Sequence, residues 1–145
     1  MGYFLEALIG KAETFGKHTS EFRHAHLVAL PQGMAMVPLT DDLLEEIGGD
    51  DLGLMKLTSA VEQWAQQISS LAPVAYIEAD FHGGTGGQGT VVWSDGVRVL
   101  GPIYSEHPIN QALRFLGVQI GNAHDEFDAV GLGQHRDTHD WIWHR

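Results

Sequence analysis

The dipeptide Asp95-Gly96, set between residues 90–94 and 97–100, constrains the fold more than any other feature of the chain. A two-residue hairpin of type I′ needs positive φ at both central positions, and Asp-Gly supplies it at low steric cost. The flanking runs contain Val91, Val92, Trp93, Val97 and Val99, residue types that suit a pleated, half-buried surface. Residues 74–81, Val-Ala-Tyr-Ile-Glu-Ala-Asp-Phe, make a third such run. Together they predict an antiparallel meander over 74–100, with Gly101-Pro102 ending its last strand. A second hairpin is expected near 26–38, where two apolar runs flank Pro31-Gln32-Gly33. Pro38 should end its second strand or place it at a sheet edge.

Elsewhere the apolar period reads as helical. Phe4, Leu5, Leu8, Ile9 and Ala12 share one stripe, which predicts a helix over 3–15 ended by Gly16. Thr40 reads as an N-cap, with Asp41 and Asp42 favouring the dipole in the first turn and Gly48-Gly49 stopping a short helix. Ser59 and Glu62 have capping-box spacing, and Val61, Trp64, Ala65 and Ile68 follow at helical intervals, so a helix is expected over 58–71. Pro108 suits a first helical position, Ile109, Ala112, Leu113 and Leu116 supply a buried stripe, and Gly117 can stop that helix over 108–116. One more helical turn is expected over 125–130. Helices around an antiparallel sheet define an α+β class.

At 145 residues the chain is expected to form a single domain spanning 1–145. A chain of this size buries roughly 70% of its unfolded surface, so its core needs no covalent staple. It contains no cysteine, which excludes disulfides, thiolate metal sites and cysteine nucleophiles. The absence fits a reducing compartment, and a cytoplasmic location is expected. The first residues lack a basic n-region and a cleavage pattern, and no apolar run approaches the ~18 residues of a membrane span. The formal net charge of −11 repels phosphate backbones, so neither nucleic acid nor membrane is an expected partner.

That charge is unevenly placed. Asp41, Asp42, Glu45, Glu46, Asp50 and Asp51 crowd together with no base among them. Such a run is either a solvated face or a steering surface for a basic protein. Glu78 and Asp80 alternate with Val74 and Tyr76, so they should share the open face of their strand, with Ala75, Ile77, Ala79 and Phe81 facing the core. Carboxylates about 7 Å apart on one face suit acid/base work, metal ligation or partner contact.

Gly83, Gly84, Gly86, Gly87 and Gln88 lie in a glycine-rich segment between two expected strands. Gly84, Gly86 and Gly89 match G-x-G-x-x-G formally, but strand rather than helix follows, so the dinucleotide-binding context fails. A wide hairpin loop or bulge, or a flexible binding loop, is expected instead. Among nine histidines, His135 and His139 have the i, i+4 spacing of metal ligands on one helical face, and His82 adjoins the Glu78/Asp80 strand. The full H-E-x-x-H pattern is absent because Arg136 follows His135. His24 and His26 would share a face if they lay on a strand. Arg136 could pin the tail by pairing with Asp128 or Asp140, and Trp141 should pack into the core.

The pattern Phe81-x-Gly83-Gly84-x-Gly86-x-Gln88, Val92-Trp93-x-Asp95-Gly96, Ile109-Asn110-x-Ala112-Leu113, Asp125-Glu126-Phe127-Asp128 and Gly131-Leu132-Gly133-x-His135-Arg136, ending at Asp140-Trp141, resembles a group of small uncharacterised bacterial proteins. Some of that group look like immunity proteins, the neutralising partners of secreted toxins. The resemblance spans about residues 75–142 and carries no catalytic residues with it.

Three readings follow. The first is a cytoplasmic, immunity-like binding protein that takes a basic, toxin-like partner on Asp41, Asp42, Glu45, Glu46, Glu78 and Asp80. Without a complete catalytic motif the balance leans away from an enzyme, and no cofactor is expected. The second is a small metal-dependent enzyme in which His82, His135 and His139 join Glu78 and Asp80 around a divalent ion. The third is a small-molecule-binding subunit with the glycine segment as a lid, or a homodimer joined at a sheet edge.

Overall fold

The computed structural model describes residues 2–53, 57–82, 85–105 and 107–143, with the side chain of Trp143 outside that set. Strands β1 (Gly2–Lys11), β2 (Val28–Ala29), β3 (Met34–Pro38), β4 (Val74–His82), β5 (Thr85–Ser94) and β6 (Val97–Ser105) form one antiparallel sheet in the order β2-β3-β1-β4-β5-β6. Helices α1 (Ala12–Phe15), α2 (Asp41–Ile47), α3 (Ser59–Ile68), α4 (Pro108–Phe115), α5 (Glu126–Ala129) and α6 (Asp140–Trp143) complete an α+β fold. No helix among the described residues is long and apolar enough to cross a membrane.

The sheet is covered on both faces. Leu5, Ala7 and Ile9 of β1 join Ala75, Ile77 and Ala79 of β4 beneath Ile109, Ala112, Leu113 and Leu116, together with Val130, Leu132 and Trp141. On the other face Leu8, Tyr76 and Trp93 pack under Leu43 and under Val61, Trp64, Ala65 and Ile68 of α3, with Phe15 beside them. Each of the larger aliphatic side chains among them contributes roughly 1.5–3 kcal/mol by leaving water.

This double burial overturns the helix expected over 3–15. Residues 2–11 are instead a central strand, paired with β3 on one side and β4 on the other. A strand buried on both faces reads as a nearly continuous apolar run, which helical spacing can mimic. The same burial overturns the open face expected for Glu78, because α2 and α3 cover the Val74–Tyr76–Glu78 side.

The meander, the hairpin near 26–38 and the helix at 108 form as expected. Asp95 and Gly96 have φ of 51° and 79°, as a type I′ turn requires. Pro38 closes β3, which lies inside the sheet rather than at its edge. Thr58, not Ser59, caps α3, accepting from the Val61 N–H at 3.2 Å. The Ser59 hydroxyl accepts from the Asp50 N–H instead. Gly101-Pro102 does not end β6. Gly101 takes φ of 81°, β6 carries two extra residues relative to β5, and the strand runs on to Ser105. An outermost strand tolerates the missing proline N–H.

Residues 136–138 extend the sheet in place of a strand. The Phe4 N–H donates to the Arg136 carbonyl at 2.8 Å, and the Glu6 N–H donates to Thr138 Oγ1 at 3.1 Å. These bonds occupy the part of β1 that β3 does not reach. The described anchors of the tail include these bonds of residues 136 and 138 and the packed Trp141.

Candidate functional site

Helix α2 carries most of the acidic run. Thr40 Oγ1 accepts from the Leu43 N–H at 3.3 Å, and Leu43 turns into the core, so Asp42, Glu45 and Glu46 face out. Glu46 is committed to the fold. Its carboxylate accepts the Arg23 N–H at 2.7 Å and the His24 N–H at 2.8 Å, and meets His24 Nδ1 at 3.0 Å. These donors, the His24 amide first, hold its carboxyl below the usual range and keep it charged. Asp41 lies 3.9 Å from His139 Nε2 and faces the tail. Asp42 and Glu45 project into solvent.

Between α2 and the clamped turn lies an open groove of about 550 Å³, lined by Arg23, His24, Asp42, Glu45 and Glu46. Phe22 anchors the turn from below, its ring edge-on to Trp64 with centroids 5.1 Å apart. The groove is therefore built on fixed backbone and rimmed by three carboxylates, with Arg23 exposed at its side.

Glu78 is only 1% exposed, and Tyr76 donates its hydroxyl to Glu78 Oε1 at 2.7 Å. Glu6 lies directly opposite across the β1–β4 ladder and is also buried, within 3.3 Å of Thr138 Oγ1 through Oε2. Hydroxyl donors satisfy part of what such carboxylates lose on leaving water. Gly89, opposite Glu78 on β5, leaves the space that the carboxylate fills, since a Cβ there would lie 2.9 Å from Glu78 Cγ. Glu78 thus belongs to the interior and lies out of a partner's reach, while Asp80 is half-buried. Glu6 as its neighbour was hidden in the sequence by the helical reading of residues 3–15.

The glycine segment is not a loop over its described part. Gly86, Gly87 and Gln88 lie within β5, while Gly83 and Gly84 lie outside the described residues. Gly86 has φ of 141°, and a Cβ there would sit 1.8 Å from the Asp80 carbonyl oxygen. Gly87 passes beneath the Tyr104 ring. Gln88 is buried and accepts the Ile109 N–H at 3.1 Å, so it satisfies the first turn of α4.

The histidines do not share one helical face. His135 is extended, with its ring edge-on to Trp141, whereas His139 meets Asp137 at 3.2 Å and lies just before α6. His82 sits at the end of β4 beside the Phe4 ring. His24 lies in a turn and His26 in the irregular stretch between that turn and β2. Among the described residues no group of three or more His, Asp or Glu side chains is arranged to hold a metal ion. Glu46 was visible in the sequence as a candidate and His24 through its spacing with His26, but the pairing of the two across 22 residues was not.

No protein-family model, curated protein or solved structure matches the chain.

Proposed function

We propose that this chain is a protein-binding module that takes a basic partner on the exposed face of α2, as an immunity-like protein would. The observation that carries the reading is the groove in which Asp42 and Glu45 stand beside the fixed, charged Glu46. Asp42 and Glu45 are three residues apart, which places them side by side on the helix. A chain of net charge −11 surrounds them with a field that attracts a cation-rich surface and speeds encounter. In this reading the contact set narrows to Asp42 and Glu45, with Glu46 as a fixed neighbour, Asp41 toward the tail beside His139 and Asp80 outside it. The cytoplasm of a bacterium is the compartment it implies.

The test begins with capture of the tagged chain's partner from bacterial lysate at low salt. The partner's association rate is then measured against the wild type and against an Asp42→Lys/Glu45→Lys variant. Association with the variant should be about tenfold slower and less sensitive to salt. Equal rates for the two proteins at low salt would reject the α2 face.

A further inference from the structure

The sheet's two edges differ. One ends in β2, two residues long, and the other in β6, nine residues long, whose outer side no described segment pairs with. Natural edge strands are guarded by shortness, by charge or by cover. The segment 97–105 contains no carboxylate. Its single charge, Arg98, is turned back onto the chain's own Glu62, with Nη2 2.8 Å from Oε1 and Nε bonded to Oε2. Val97, Val99 and Tyr104 stand 61%, 43% and 58% exposed. An apolar, internally neutral edge thus sits on a chain of net charge −11.

We infer that β6 is the contact surface for a second copy of this chain, the two β6 strands pairing antiparallel about a twofold axis. A basic partner finds no carboxylate on this strand. A second copy offers a matching neutral, apolar strand, bounded in sequence by Asp95 and Glu106. The pairing closes at two, because it uses both long edges and the two-residue β2 gives the sheet no second edge on which to grow. The two extra residues of β6 and Pro102 interrupt its ladder, so the contact is short. Interfaces that hold firmly bury about 1,200–2,000 Å². Three exposed apolar side chains on one strand fall below that, so the dimer is weak and depends on concentration.

Two copies of charge −11 repel each other over about 30 Å at 0.01 M salt and over about 8 Å at 0.15 M. Salt should therefore strengthen this dimer, whereas it weakens an acidic-to-basic contact at α2, so the two readings fail separately. Sedimentation velocity of the untagged chain, across a concentration series at low and high sodium chloride, reads the outcome. The wild type should move from monomer toward dimer as salt rises. Val97→Lys/Val99→Lys should remain monomeric throughout, although its added lysines reduce the overall repulsion. Leu27→Lys/Ile120→Lys, matched in charge and exposed near the β2–β3 end of the sheet, should dimerise like the wild type. Circular dichroism of each variant establishes that it is folded. A wild type that is monomeric under every condition, or a dimer that survives the β6 lysines in a folded variant, overturns the inference.

Discussion

Glu46 and Glu62 show how a carboxylate in an acidic chain can work inward. Glu62 accepts the Trp93 indole N–H at 2.8 Å and both arms of Arg98, and Trp93 is fully buried. Glu62→Ala leaves that indole without an acceptor and should cost about 1–3 kcal/mol in denaturant unfolding. The hydrogen bonds from Arg98 hold the Glu62 carboxyl below its ordinary, unfolded value. A lowered folded pKa gives stability that is complete above the unfolded value and is lost as pH falls through the folded one. Glu62→Gln should therefore melt lower than the wild type at pH 7, with the difference narrowing as acid protonates the carboxylate in the folded protein. A constant difference would remove the charge from the explanation. At Glu46 the effect is local. Glu46→Ala releases the Arg23 and His24 amides, and hydrogen exchange should accelerate at those two positions while the sheet amides keep their rates.

At the level of elements, local chemistry was legible and burial was not. Asp95-Gly96, the Thr40 cap, and Pro108 with Gly117 act through bonds or φ values within a few residues, so the sequence alone discloses them. The register Glu6 to Glu78 spans 72 positions and depends on which face is covered, which no local period reports. The same limit hid the α2 groove, because Glu46 is legible as an acid but not as the clamp of residues 23 and 24. Gly86 was legible as a special glycine, though not as one inside a strand. It matters because β5 passes directly over the Asp80 carbonyl there. Gly86→Ala should cost about 3 kcal/mol or more in chemical denaturation, combining the positive φ with the overlap. A near-neutral result would mean that the β4–β5 pairing can shift by a residue at little cost.

Across the whole molecule, charge and shape divide the surface into an acidic rim at α2 and a neutral edge at β6. Salt has opposite sign at the two: it should slow capture of a basic partner and favour self-pairing. The ladder on β1 adds a constraint in time rather than space. Its outer half is met by residues 136–138, more than 130 positions downstream of the residues they bond. During synthesis, the strand of this sheet that is made first is therefore fully sheathed only after residues 136–138 follow. Until then it carries exposed amides beside a run of leucine and isoleucine. Such a sheet does not complete itself piecemeal, and the edge of β1 stays open to other strands until residues 136–138 have emerged.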